Sequence, residues 1–210
     1  MFQHQLTRMK TFRTSIIAAF LCALAAVTLT ANVKNGEIAP AFQLLDAHGN
    51  QHSLEQYRGK YVVLEWTNHQ CPFVKKFYAD GHMQGWQKSF TDKEVIWLSI
   101  VSSAEGKQGH LTQEQAQSLE KAQNEHATAK LLDSSGKVGR AYGAKTTPHM
   151  FIIDPQGVII YQGAIDSIRS ANSADIEKAD NYVVNALDAA LADKPIAVAR
   201  SRPYGCSVKY

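Results

Sequence analysis

The chain has 210 residues, of which 45% are hydrophobic and 20% are charged, and its formal net charge is +3. These values are ordinary for a globular protein with one hydrophobic core. Its basic residues are scattered along the chain, whereas a nucleic-acid-binding protein needs a basic stripe or patch that neutralises phosphates. We therefore expect no nucleic acid among its partners.

The first 31 residues differ in character from the rest of the chain. Three basic residues precede an apolar run over residues 16–29, small residues follow, and the first acidic residue is Glu37. This order is typical of a secretory signal peptide, and the run is shorter than the about 20 apolar residues of a membrane span. We expect residues 1–31 to be a signal peptide or an uncleaved anchor. The protein is then periplasmic or otherwise extracytoplasmic, with a membrane as partner only if the segment stays uncleaved.

The next segments alternate between strand and helix patterns. Residues 41–45 form a short apolar segment before a turn, and residues 61–67 have the β-branched and aromatic composition of a strand buried on both faces. Pro72 suits the first turn of a helix. Gly81 and Gly85 should weaken or bend that helix.

The middle of the chain continues the alternation. Residues 95–101 predict a second buried strand, and Thr112 with Gln115 forms a capping box that opens a polar helix. A short strand over residues 130–132 and a short helix over residues 137–142 follow.

The last third of the chain predicts a hairpin and a helix. Residues 150–153 and 158–161 read as two strands joined by a tight turn, and hence as an antiparallel hairpin. Ser173 opens the last predicted helix, in which apolar residues recur at helical spacing until Pro195. Strands that alternate with helices predict a sheet with a parallel core, to which the hairpin adds an antiparallel edge. We expect one domain over residues 32–195 and a C-terminal tail over residues 196–210.

Cys71 is the first candidate for chemistry. It follows a buried strand and opens a helix, where free backbone N–H groups and the helix dipole favour a thiolate. Lys75 and Lys76 add positive charge one turn further on. This position predicts a reactive thiol, and the alternative is an inert buried cysteine.

Cys206 is the second candidate. Cys22 lies in the predicted leader, so Cys71 and Cys206 are the two cysteines of the mature chain. Disulfides persist outside the cytoplasm, and an even pair of cysteines there can bond. Pro203 and Gly205 suit a tail that folds back over Cys71. The pair is then either a permanent structural disulfide or a reversible, catalytic one.

Three motifs carry a family resemblance: residues 36–44, residues 59–74 and residues 147–157. In this order and spacing they resemble the redoxin family of the thioredoxin-like superfamily, which is named for alkyl hydroperoxide reductase and thiol-specific antioxidant. The resemblance implies an α/β thioredoxin-like fold, in which helices flank a central mixed sheet. An N-terminal extension and the C-terminal tail would be added to that fold.

The resemblance assigns roles residue by residue. Cys71 falls where the family has the first cysteine of Cys-x-x-Cys, and Val74 takes the place of the second. Thr147 and Pro148 match the cis-proline site that flanks the nucleophile and shapes the substrate's docking edge. Glu65 matches the buried acid of thioredoxins, whose raised pKa suits proton transfer to a departing thiolate. The alternative for Glu65 is a partly exposed residue at the end of its strand.

The chain departs from peroxiredoxins of this family at two points. Their attacking thiol is preceded by Pro-x-x-x-Thr-x-x-Cys, whereas Leu64 and Asn68 occupy the proline and threonine positions here. Their peroxide-activating arginine lies near the strand where this chain has Thr147 and Pro148. Both departures favour a thioredoxin-like site.

The sequence thus predicts an extracytoplasmic thiol–disulfide oxidoreductase, in which Cys71 attacks, Cys206 resolves and Glu65 handles the proton. Its substrate would be a disulfide-containing protein or a small thiol or peroxide, and a separate electron donor would complete the cycle. One alternative is a thiol peroxidase. Another is a copper-binding module that uses Cys71, His149 and Cys206, although the Cys-x-x-x-Cys of related copper carriers is absent. We expect no metal or other cofactor, and His69 and His149 to be solvated residues around the thiol.

Overall fold

The computed structural model describes residues 33–210, so the predicted signal peptide lies outside the described residues. The strands in this part of the chain are β1 (Gln43–Asp46), β2 (Gln51–Ser53), β3 (Val62–Trp66), β4 (Ile96–Val101), β5 (Ala129–Leu132), β6 (Thr146–Thr147), β7 (His149–Ile153), β8 (Ile159–Gly163) and β9 (Cys206–Ser207). A seven-stranded mixed sheet forms the centre, with the strand order β2, β1, β5, β4, β3, β7, β8. A separate two-stranded sheet pairs β6 with β9.

Five α-helices flank the sheet in the described part of the chain. They are α1 (Pro72–Tyr78), α2 (His82–Thr91), α3 (Gln113–Gln123), α4 (Lys137–Tyr142) and α5 (Tyr182–Leu191). Two short 3₁₀ helices span Glu55–Tyr57 and Ser173–Lys178. Within residues 33–210 no helix has the length and apolar character that crossing a membrane requires.

The sheet has a parallel centre and antiparallel edges. Strand β4 pairs in parallel with β3 and β5, whereas β7 pairs antiparallel with β3 and β8. All five residues of β3 are buried, as its apolar run predicts for a strand covered on both faces. The predicted mixed sheet and its late hairpin are therefore confirmed.

Two hydrophobic clusters lie on the two faces of the sheet. Leu64 and Trp66 of β3 belong to one cluster, and Val63 belongs to the other together with Cys71. Successive side chains of a strand point to opposite faces. Glu65 therefore lies on the same face as Val63, which is the face that α1 covers.

Two predicted helices differ from the structure. The helix after Cys71 is divided in two, because Gly81 takes a left-handed conformation with a φ of 78° between α1 and α2. The segment from Ser173 is a 3₁₀ helix, and α5 begins only after Asn181, whose side chain accepts a hydrogen bond from the backbone N–H of Val184. Glycine conformation and capping thus decided both boundaries.

Candidate functional site

Cys71 lies at the carboxyl end of the central strand β3, where it caps the N-terminus of α1. Its backbone N–H donates to the carbonyl of Asn68 at 2.9 Å, and its own carbonyl accepts from Val74 and Lys75. The side chain is fully buried. The local chain therefore holds the thiol rigidly at the edge of the parallel sheet, where α/β proteins place their ligands.

Cys206 returns to Cys71 from the far end of the chain, as the sequence predicts. The two sulfur atoms lie 2.6 Å apart, and both cysteines are free thiols. Cys206 is held there by the two-stranded sheet, which we call the ribbon, in which it pairs opposite Thr147 and Ser207 pairs opposite Thr146. The reversible disulfide between the two thiols stays a prediction.

The Thr147-Pro148 peptide bond is cis, as predicted. The sulfur of Cys71 lies 3.1 Å from the carbonyl oxygen of Thr147, which accepts the thiol proton when the thiol is protonated. Gly205 has a φ of 134°, and a Cβ atom there would lie 2.0 Å from the same oxygen. Only glycine therefore allows the ribbon to close at this point.

The two thiols have pKa values that move in opposite directions. Burial raises the pKa of Cys71, but hydrogen bonds from the side chain and backbone of Cys206 and from the backbone N–H of Val74 outweigh it and bring the pKa below its ordinary value. Burial, the hydrogen bond to Cys71 and the negative charge on Cys71 raise the pKa of Cys206 to about 11. Cys71 therefore ionises before Cys206, and Cys206 then donates the hydrogen bond between the two sulfur atoms.

Lys76 does not supply the positive charge that the sequence suggested for Cys71. Its side chain is buried, and its ammonium donates to Asp166 at 2.6 Å, to the carbonyl of Ile168 at 3.1 Å and to the hydroxyl of Tyr204 at 3.2 Å. A buried lysine needs such partners, because an unpaired charge there is costly. Lys75 is exposed. The lowered pKa of Cys71 therefore comes from hydrogen bonds rather than from these lysines.

The network around Lys76 also anchors the tail, a feature that the sequence did not predict. Tyr204, two residues before Cys206, donates from its hydroxyl to Asp166, and its ring packs edge-on against Phe73 at 5.8 Å. Lys76 and Phe73 belong to α1, the helix that Cys71 caps. We call residues 199–210 the strap, because this anchor ties them to α1. In the sequence, the only feature that could have indicated this anchor is that Tyr204 and Gly205 directly precede Cys206.

Glu65 is fully buried, which excludes the exposed alternative. Its carboxyl group accepts hydrogen bonds from the hydroxyl of Tyr78 at 2.8 Å, from the indole of Trp97 at 2.9 Å and from Gln87 at 3.4 Å. Burial raises its pKa, as expected from the sequence. None of these hydrogen bonds involves Cys71, so the structure does not bring Glu65 into direct contact with the thiols.

His149 is not the solvated residue that we expected. It lies buried on β7, its Nδ1 accepts from the backbone N–H of Lys145 at 3.3 Å, and its ring packs against Phe151 at 4.6 Å. His69 is half-buried. In the described part of the chain, no three histidine, cysteine, aspartate or glutamate residues cluster as a metal site would require. The copper-binding alternative therefore lacks a ligand set among residues 33–210.

Comparison with known families identifies the class of this site. Residues 35–162 match the model of the AhpC/TSA family, which covers more than half of the chain. The chain belongs to the AhpC/TSA family. The matched region contains Cys71, Thr147 and Pro148, and the assignment confirms the thioredoxin-like fold and the expected class of thiol redox enzyme. No curated protein matches the chain.

Solved structures show the same fold. An uncharacterized conserved protein from Geobacillus kaustophilus is 25% identical with a TM-score of 0.75, and 84% of this chain and 92% of that chain are covered. A hypothetical protein, SMc02350, from Sinorhizobium meliloti 1021 is 24% identical with a TM-score of 0.72, and 86% of this chain and 96% of that chain are covered. The thioredoxin domain of a thiol-disulfide oxidoreductase from Bacteroides vulgatus is 22% identical with a TM-score of 0.50, and 70% of this chain and 97% of that chain are covered.

Proposed function

We propose that this AhpC/TSA-family protein is an extracytoplasmic thiol–disulfide oxidoreductase, in which Cys71 is the nucleophile and Cys206 the resolving cysteine. One observation carries the proposal: the sulfur atoms of Cys71 and Cys206 lie 2.6 Å apart. Val74 occupies the position of the second cysteine in Cys-x-x-Cys enzymes, so the tail supplies the thiol that the helix lacks.

The proposed reaction has two exchange steps. The thiolate of Cys71 attacks a substrate disulfide, one substrate sulfur leaves as a thiolate, and a mixed disulfide with Cys71 remains. Cys206 then loses its proton and attacks the sulfur of Cys71, so that the second substrate sulfur leaves. The substrate has gained two electrons, and the protein holds a disulfide between Cys71 and Cys206.

A dithiol electron donor closes the cycle. Cys206 is partly exposed whereas Cys71 is fully buried, so the donor attacks the sulfur of Cys206. Cys71 leaves, which is the faster direction because the thiol with the lower pKa is the better leaving group. A second donor thiol then displaces Cys206 and takes the disulfide.

Other residues have supporting roles in this proposal. Glu65 supplies a proton for the departing thiolate, a role suited to a buried carboxyl group with a raised pKa. Thr147 and Pro148 form the docking edge for the substrate. Because Cys71 is fully buried under the strap, the strap must move aside before a protein disulfide can reach the sulfur.

The test compares two oxidants on the reduced protein. We expect rapid oxidation by a protein disulfide such as insulin, slow oxidation by hydrogen peroxide, and a Cys71 to Cys206 disulfide in peptide maps of the product. Fast, stoichiometric formation of a sulfenic acid on Cys71 at low micromolar peroxide would instead favour a thiol peroxidase. That second candidate is supported by the family's antioxidant members and by the close resolving thiol, which would capture the sulfenic acid with loss of water.

The extracytoplasmic location rests on the signal-peptide pattern of residues 1–31. Cell fractionation, with mass analysis of the mature N-terminus, tests it. Recovery of the full-length protein in the cytoplasmic fraction would contradict this part of the proposal and leave the chemistry untouched.

A further inference from the structure

A cavity of about 630 Å³ lies against the ribbon, outside the thiol pair just described. Its walls come from residues between α4 and β7, including Thr146 of β6, from Gln162 on β8 and from the start of the strap. Three of the lining residues are cationic, namely Lys145, Arg200 and Arg202, and none is acidic. Its volume falls in the range of small-molecule sites, which is about 300–1,000 Å³.

The three cations are unpaired. Within residues 33–210, the ion pairs involve other lysines, arginines and histidines, and no carboxylate lies within ion-pair distance of Lys145, Arg200 or Arg202. All three residues are exposed. Three like charges around one cavity repel one another, and an anion in the cavity would relieve that repulsion.

His149 adds a hydrogen-bond donor to the same cavity. It lines the wall and is only 5% exposed, and its Nδ1 accepts the backbone N–H of Lys145. The proton of the neutral ring therefore sits on Nε2, which has no hydrogen-bond partner in the described part of the chain. The Nε2–H is therefore free to donate to a ligand with an acceptor atom.

We infer that this cavity binds a small molecule through an oxyanion, either a carboxylate or a phosphate group. The guanidinium groups of Arg200 and Arg202 suit both groups, because each presents two parallel donors. Lys145 adds a third charge, and the Nε2–H of His149 donates to an oxygen of the ligand. This site goes beyond the proposed thiol chemistry and does not depend on it.

Occupancy of the cavity is coupled to the thiols through the ribbon. Thr146 lines the cavity, and the next residue, Thr147, contacts Cys71. On the other strand, Pro203 lines the cavity three residues before Cys206. A ligand that binds only when both segments are in place stabilises the closed strap, and by linkage it slows exposure of Cys71.

Calorimetric titration of the reduced mature protein at low ionic strength tests the site. The probes are inorganic phosphate and citrate, with sodium chloride at matched ionic strength as the control ligand. We expect one saturable site, at least tenfold weaker affinity in the double variant Arg200→Ala with Arg202→Ala, and no change in Lys194→Ala. Lys194 is a suitable control because it is an exposed cation just after α5. The last turn of α5 accepts a hydrogen bond from the hydroxyl of Tyr61, which directly precedes β3, so it lies at the end of β3 opposite to Cys71.

A second readout follows the thiol. At saturation, the bound probe should lower the rate of Cys71 alkylation in the unaltered protein and have no effect in the double variant. Binding of phosphate alone or of citrate alone supports the site and identifies the group it takes. The inference is overturned if neither probe binds saturably, or if the double variant, folded by circular dichroism, binds as tightly as the unaltered protein.

Discussion

The two cysteines of the site reach the same point by different routes. Cys71 is placed by its neighbours in sequence, because the loop after β3 and the first turn of α1 hold it through backbone hydrogen bonds within four residues. Cys206 is placed by contacts with distant residues: the ribbon partner Thr147, the Tyr204 anchor and the close approach at Gly205. Changes in the strap should therefore separate the two thiols without unfolding the sheet that carries Cys71.

The largest effects should come from the thiols themselves. Cys71→Ser should abolish reduction of a protein disulfide, because the thiolate is the attacking group. Cys206→Ser should instead stop the reaction at a mixed disulfide between Cys71 and the substrate. Non-reducing gels and peptide mass analysis after one turnover distinguish the two outcomes. Full multiple turnover by Cys206→Ser would remove Cys206 from the mechanism.

Gly205→Ala should open the strap. The added Cβ would overlap the carbonyl oxygen of Thr147, and alanine is strained at a φ of 134°. We expect a loss of roughly 1–3 kcal/mol in the free energy of unfolding, together with faster alkylation of Cys71. Gly85→Ala is the matched control, because nothing lies within 4 Å of its added Cβ in α2, and it should be neutral or slightly stabilising. Equal behaviour of the two variants would contradict the assigned role of Gly205.

Tyr204→Phe should have a smaller effect of the same kind. It removes the hydrogen bond that the hydroxyl donates to the buried carboxylate of Asp166 and the one it accepts from Lys76, but leaves the ion pair between Asp166 and Lys76. We expect a loss of about 1–2 kcal/mol and a modest rise in Cys71 alkylation. Tyr182→Phe is the control, because the Tyr182 hydroxyl has no hydrogen bond in the described part of the chain. Chemical denaturation and labelling kinetics measure both effects. An unchanged alkylation rate in Tyr204→Phe would show that the Tyr204 anchor does not control access to Cys71.

The smallest expected effect is a shift in the titration of Cys71. The hydrogen bond from Cys206 stabilises the Cys71 thiolate, so its loss in Cys206→Ala should raise the pKa of Cys71 towards that of a free thiol. Cys206→Ser retains a hydroxyl donor, so the pKa of Cys71 in this variant should lie between its values in the unaltered protein and in Cys206→Ala. Iodoacetamide labelling against pH, followed by mass spectrometry, gives the three midpoints. A pKa for Cys71 in the unaltered protein near about 8.5 would contradict an activated thiolate.

Much of the site near Cys71 was predictable from the sequence. A buried apolar strand followed by Cys71 and Pro72 indicated a thiol at a helix N-terminus, and Thr147 with Pro148 indicated the cis bond beside it. Lys76 shows the limit of such reasoning. A lysine one turn after a cysteine looks like a source of positive charge, but the fold buries it against Asp166, which is 90 residues away.

By itself, the sequence determined the elements whose causes are local: the strands β3, β4, β5, β7 and β8, the capping box at Thr112, the reactive position of Cys71 and the absence of a second cysteine at Val74. The tertiary structure alone decided the elements whose causes are distant in the chain. These are the ribbon that holds Cys206, the anchor at Tyr204, the burial of His149 and the cationic cavity beside it. The physical reason is that periodicity and capping act between residues a few positions apart, whereas burial, ion pairing and a thiol–thiol contact across 135 residues depend on the folded chain.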